Sequence, residues 1–137
     1  MNHRREGDAR QKMKIDDSIA WYPFLPADQL QEKIDHSDIF LLLSRSENYG
    51  ISVAEALSRG IACIVTKTTA LNEFLNEPGC FGITYPPDPL ALAQLIVSVH
   101  GSNVRTGPLT DKIRTWDRIA PEYERIYREA VRNGRKI

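Results

Sequence analysis

Two carboxylates, Glu47 and Glu55, stand on either side of Gly50 in the stretch SRSENYGISVAEALSRG, residues 44–60. Crowding acids is costly unless something compensates, so the pair asks for hydrogen-bond donors. The stretch leaves the apolar run DIFLLL and turns into an apparent helix, whose first backbone N–H groups have no partner within the helix. Those donors, with the helix dipole, make an anion site suited to phosphate. Gly50, lacking a side chain, lets a ligand approach the backbone closely. Glu55 falls about one and a half turns inside the helix, roughly 7 Å along its axis. A ribose attached to a diphosphate at the helix tip would lie within its reach, and one carboxylate can accept hydrogen bonds from both hydroxyls of a diol. Glu47, in the loop before the helix, would face the other side of the phosphates, where an attached sugar also offers hydroxyls. Plainer readings stay open: a charge set against the dipole for Glu47, a solvated side chain for Glu55. Ala54, Ala56 and Leu57 predict a largely packed helix around Glu55, in which a carboxylate needs partners.

The elements that must hold these residues follow from apolar spacing. SIAWY (18–22) is a β-prone run that stops at Pro23. Pro26 opens a helix in which Leu30 and Ile34 recur four apart. DIFLLLS (38–44) is continuously apolar, as expected of a strand covered on both faces of a parallel sheet. GISVAEALSR follows as a helix stopped by Gly60, and IACIVT (61–66) is a second buried strand. ALNEFLNE (70–77) predicts a short helix, FGITY (81–85) a brief strand, and LALAQLIVSVH a helix over about 89–100. Asp88 is placed to cap that helix. The tail predicts a helix near LTDKIRTWDRIA and a second one opened by Pro121. Trp116, Ile119, Tyr123, Ile126, Tyr127 and Ala130 form one apolar stripe, to be read as core or interface. Strands alternating with helices imply a small doubly wound α/β fold, a parallel sheet of three to four strands with flanking helices.

Composition narrows the function. The 137 residues suit one domain of ordinary size, 42% hydrophobic and 26% charged. Eighteen Lys and Arg balance eighteen Asp and Glu, which removes the electrostatic case for a nucleic-acid binder. Cys63 and Cys80 show no metal-ligand spacing, and a reducing, cytoplasmic compartment fits them best. No apolar run is long enough to span a bilayer. Residues 1–17 mix both charge signs without an apolar period and are expected to be mobile. His3, His36 and His100 are scattered, with no catalytic partner nearby in sequence. Arg45 and Lys67, each just after a strand, are either phosphate-neutralising cations or solvated surface charges.

The stretch DIFLLLSRSENYGISVAEALSRGIACIVT resembles the nucleotide-sugar site of retaining glycosyltransferases of the GT-B fold, the large group-1 family. Asp38, Ser44, Glu47, Gly50, Glu55, Ala56 and Gly60 match its pattern, and Tyr49 stands for its aromatic. Glu73 in NEFL, the stretch GITYPPDPLALAQLI and the WDRIAPEYERIYREA tail are similar to later family segments. The likeness covers roughly residues 18–131. It implies that Glu47 touches the donor sugar and is the catalytic residue. The amides of Asn48, Tyr49, Gly50 and Ile51 would bind sugar hydroxyls and diphosphate, and Glu55 the ribose. It implies sugar transfer from a nucleotide diphosphate to an unknown acceptor with the anomeric configuration kept, with no cofactor and usually no metal.

The sequence departs from the pattern at Asn48 (for glycine), at Leu43 and Ala62 (for prolines) and at Thr69-Ala70 (for a Gly-Gly pair). Family members carry an Arg and a Lys for the diphosphate on a strand–loop unit that should precede residue 18. Arg10, Lys12 and Lys14 are not in that context. The expected organisation is an N-terminal charged segment (1–17), a partial Rossmann-like nucleotide-sugar-binding domain (18–109) and a helical tail (110–137). As an N-terminally truncated donor-binding half it would be catalytically incomplete alone. It is expected to be cytoplasmic, with a place at a membrane periphery left open. The alternative is a non-catalytic module that docks onto a partner chain carrying the missing domain, or onto itself.

Overall fold

The computed structural model describes residues 18–102, 104, 115–132 and 134. The chain divides into two units, one ending at Lys33 and the other beginning at Ile34. In the first, residues 18–22 form no strand. β propensity expresses packing against neighbours rather than an intrinsic backbone choice, and a short apolar run followed by Pro23 does not extend by itself. Lys33 Nζ lies 5.1 Å from the centre of the Tyr22 ring. Helix α1 (Ala27–Asp35) opens after Pro26, whose carbonyl accepts from Leu30 N–H at 2.9 Å.

The second unit is built on three parallel strands, β1 (Ile39–Leu42), β2 (Ala62–Thr66) and β3 (Cys80–Ile83), in the spatial order β1-β2-β3. The register pairs Leu42 with Val65 and Cys63 with Cys80. β2 is buried along its whole length, as its apolar run predicts. β1 is not covered on both faces: every residue keeps some exposure, and Leu41 is 41% exposed. Among the described residues β1 has a strand on one side only, and an edge strand collects fewer neighbours than a central one.

Alternation along β2 sorts the core into two layers. Cys63 and Val65 pack with Val53, Ala56 and Leu57 of helix α2 (Ile51–Ser58), with Leu71 and Phe74 of the 3-10 segment Thr69–Asn76, and with Ile34 of α1. Ala62 and Ile64 face the other way, onto Val99, Leu92, Leu95 and Ile96 of helix α3 (Pro89–Gly101). Two crossovers of one hand along strands in sequence order must put α2 and the 3-10 segment on the same face, as found. Helices therefore cover both faces of the sheet. Asp88 caps α3 by accepting from Ala91 N–H at 2.8 Å.

α2 is fixed at both ends by glycine. Gly50 precedes it at φ 90°, and Gly60 follows it at φ 77°. Gly60 N–H reaches Leu57 O at 3.0 Å and Ile61 N–H reaches Ala56 O at 3.0 Å, the two bonds of a left-handed helix stop. Arg59 Nη1 then clasps Asp35 at the end of α1, 2.6 Å from Oδ1 and 2.8 Å from Oδ2.

Among the described residues the tail holds one helix, α4 (Trp116–Arg132), which runs through Pro121 where a second helix was expected to open; residues 109–114, where the first was expected to begin, lie outside the described residues. The Thr115 carbonyl accepts from Arg118 and Ile119 at 3.0 Å each, so the helix is under way before the proline. No residue of α4 is buried, and Trp116, Tyr123, Ile126 and Tyr127 are all exposed.

Two predictions follow from this packing. A Cβ at position 50 would meet Leu71 Cδ2 at 2.7 Å and Phe74 Cε2 at 3.4 Å, on a backbone that L residues avoid. Gly50→Ala is expected to cost about 2–4 kcal/mol in urea unfolding. Burial, and secondarily the neighbouring Cys80, pushes the Cys63 thiol from 9.0 up to about 12. The fold thus favours the protonated thiol, so this stability is fully present below the unfolded pKa and is lost as pH rises through the folded one. Unfolding free energies from urea titrations should fall between pH 9.0 and about 12, by about 1.4 kcal/mol per pH unit for this thiol. Cys63→Ala should remove this contribution and leave that of Cys80, whose thiol is raised from 9.0 to about 11 by burial and secondarily by Glu77.

Candidate functional site

β1 and β2 are adjacent and parallel, so the loops leaving their carboxyl ends lie side by side, where ligands of open parallel sheets bind. Three hydroxyls stitch the two loops together. Thr66 Oγ1 donates to the Ser44 carbonyl at 2.5 Å, and Thr68 Oγ1 to the same oxygen at 3.3 Å. Thr69 Oγ1 accepts from Glu47 N–H at 3.0 Å and donates to Glu47 O at 2.9 Å. Thr69 does this at φ 37°, in the left-handed region that β-branched residues avoid.

Glu47 is half-buried in this seam. Ser44 Oγ donates to its Oε1 at 2.6 Å, and among the described residues Oε2 has no partner. One face of the carboxylate is thus held while the other stays available to donors.

The chain then reaches the start of α2. Gly50 offers no side-chain cap, and the first turn carries no acid. The helical ladder begins with Val53 N–H to Gly50 O at 2.9 Å and Ala54 N–H to the same oxygen at 3.2 Å. The amides ahead of Val53 are the unpaired donors of a helix start, so the tip keeps its positive end uncompensated. The room left by Gly50 differs from the open approach expected from sequence. Leu71 and Phe74 occupy it, so the glycine serves the tight turn onto the core. Tyr49 stands edge-on to Phe74, ring centres 5.4 Å apart, and is 46% exposed; Asn48 is exposed and Ile51 is 67% exposed.

Glu55 corrects a second expectation. Val53, Ala54, Ala56 and Leu57 are buried, yet Glu55 itself is exposed, because the apolar positions of α2 face the sheet and Glu55 faces away. It lines an open cleft of about 710 Å³ shared with Tyr49, Ile51, Ala54, Ser58 and, from the start of α4, Thr115, Trp116 and Ile119. Among the described residues the lining is mostly apolar and aromatic, with this carboxylate the only charged side chain.

The structure therefore groups Tyr49, Ile51 and Glu55 on one cleft and holds Glu47 in the loop seam, with Asn48 and Gly50 between them along the chain. Among the other candidates, Arg45 is exposed, and the stem of Lys67 lies over Gly82, where a Cβ would meet its Cε at 2.8 Å. Glu73 is exposed on the 3-10 segment. His36, just after α1, and His100, in α3, are both exposed, and His3 lies outside the described residues. Among the described residues no group of three His, Cys, Asp or Glu is placed to hold a metal ion, and no helix is long and apolar enough to cross a membrane. Sequence reasoning missed the threonine seam, although the run TKTT directly after a buried strand was a signal. It also read Trp116 only as part of a tail stripe.

The sequence is similar to those of known proteins. The profile of the family "Glycosyl transferases group 1" matches residues 3–103. The lipopolysaccharide 1,6-galactosyltransferase of Escherichia coli (strain K12) is 32% identical over 82 residues, covering 58% of this chain and 23% of that protein. The N-acetyl-alpha-D-glucosaminyl L-malate synthase of Bacillus anthracis is 24% identical over 117 residues, 79% of this chain and 30% of that protein. The chain thus spans less than a third of the length of these two relatives. The profile match, which runs over residues 3–103 and takes in all three strands and the start of α2, identifies the chain as a member of the group 1 glycosyltransferases.

Proposed function

We propose that this chain is the donor-binding part of a retaining glycosyltransferase, taking a nucleotide diphosphate sugar at the start of α2. The diphosphate sits on the amides of Asn48, Tyr49, Gly50 and Ile51. Glu47 accepts hydrogen bonds from hydroxyls of the donor sugar through Oε2, and Glu55 accepts from the ribose diol. The nucleoside continues along the cleft toward Trp116. The observation that carries this reading is the helix tip itself: a positive end with neither a side-chain cap nor an acid in its first turn, flanked by one carboxylate with a free oxygen and another opening onto a cleft.

Charge that develops on the leaving diphosphate is stabilised by donors already in place, the kind of contribution that dominates many enzymes. The acceptor has to be held against the same sugar, and nothing described in this stretch does that. Binding without turnover is therefore the activity assigned to the chain by itself, the complete transfer requiring an acceptor-binding part.

The test uses the Trp fluorescence of the 137-residue chain with Trp21→Phe, which leaves Trp116 as reporter, titrated with UDP-galactose, UDP-N-acetylglucosamine and GDP-mannose. At least one should bind and change the Trp116 signal, and Glu55→Ala should weaken it about tenfold or more, as loss of charged hydrogen bonds does. Affinity unchanged by Glu55→Ala would remove the ribose assignment.

One feature favours a second reading, a module that docks onto a partner chain or onto itself: α4 buries none of its aromatic stripe. Light scattering after size exclusion decides it for self-association. A mass above the monomer that returns to monomer in Tyr127→Glu supports it; a monomer that binds nucleotide sugar leaves the first reading alone.

A further inference from the structure

Thr69 combines two features that the fold alone does not require. Its backbone is at φ 37°, a region where a β-branched residue is a genuine outlier and persists only when its surroundings over-determine it. Its hydroxyl meets both ends of one residue 22 positions away, accepting from Glu47 N–H at 3.0 Å and donating to Glu47 O at 2.9 Å. A hydroxyl has one proton and two lone pairs, so this single group holds the peptide on either side of the Glu47 Cα. Ser44 Oγ holds Oε1 of the same residue at 2.6 Å. Backbone and one carboxylate oxygen are thus both pinned, which leaves Oε2 in one place.

Side-chain bonds between loops normally compete with water, and Thr69 is exposed. A residue in a costly conformation, on a solvated loop, making a reciprocal pair of bonds to one acid, places that acid rather than packing a core. Serine can make both bonds; valine keeps the shape and makes neither; glycine relieves the backbone and also makes neither.

We propose that Thr69 is a positioning residue for Glu47, and through it sets how well the site recognises the sugar half of its ligand. The proposal rests on the nucleotide-sugar reading above. Thr69 touches no part of the nucleotide in that reading, so its loss should affect the sugar and spare the diphosphate. A purely structural role would weaken every ligand alike.

The experiment measures the affinities of the full chain for UDP-galactose and for UDP, in the unaltered protein and in Thr69→Val, Thr69→Ser and Thr69→Gly, alongside amide hydrogen exchange of Glu47 by NMR. Thr69→Val and Thr69→Gly should lower the ratio of UDP-galactose to UDP affinity roughly fivefold, the effect of one or two hydrogen bonds, with UDP binding unchanged. Thr69→Ser should keep the ratio. Glu47 N–H should exchange about tenfold faster or more in Thr69→Val and at the original rate in Thr69→Ser. A ratio unchanged in Thr69→Val, or both ligands weakened together, overturns the proposal. Where UDP-N-acetylglucosamine or GDP-mannose is the donor that binds, it and its free nucleoside diphosphate replace this pair; if none of the three donors binds, the nucleotide-sugar reading fails, and Glu47 exchange then judges the clamp alone: an unchanged rate in Thr69→Val overturns it as well.

Discussion

The register between two neighbouring strands governs everything at this site. Leu42 lies beside Val65, so the chain leaves β1 and β2 at the same level of the sheet. Ser44 then finds Thr66 and Thr68 beside it, and Glu47 finds Thr69. A slip along β2 would move every one of these hydroxyls away from its carbonyl. β2 cannot slip cheaply, because both of its faces are buried and a one-residue shift would exchange the side chains that meet α2 with those that meet α3. The energy that aligns the polar seam is thus apolar, spent in the centre of the sheet and felt at its edge.

From that alignment comes a division of labour between the two acids. Glu47 is fixed by neighbouring hydroxyls and belongs to the rigid rim of the sheet. Glu55 rides on α2 and faces a cleft whose far wall is the start of α4. The helix tip lies between them along the chain and carries neither cap nor acid of its own. In a protein that normally satisfies its buried donors, an uncapped helix start left to solvent is an economical way to receive an anion.

What could be read from sequence was whatever repeats or stands alone. The unbroken apolar run of β2, the stop at Gly60 and the Asp88 cap each have a local physical cause, and each is found as expected. The two acids around Gly50 could be chosen because helix starts and carboxylates have fixed chemistry. Other features depend on distant partners. Thr69 gains its meaning from Glu47, 22 residues earlier, and no window of sequence displays that pairing. Glu55 reads as packed because its neighbours in sequence are packed; the orientation of α2 on the sheet reverses the inference. The run at 18–22 has strand composition but no strand, since pairing is decided by what lies alongside. Pro121 suggests a helix start, yet α4 begins at Trp116, about one and a half turns earlier, and its stripe of aromatics continues across the proline.

β1 is four residues long and has a strand on one side only among the described residues. Counting the described residues alone, its other side is a ledge of amide and carbonyl groups with room for about two ladder bonds, since alternate residues point outward. A ledge that short gives a passing extended peptide too little to hold, which is one of the ways sheets escape stacking into fibres. Brevity here does the work that charges or prolines do on longer borders.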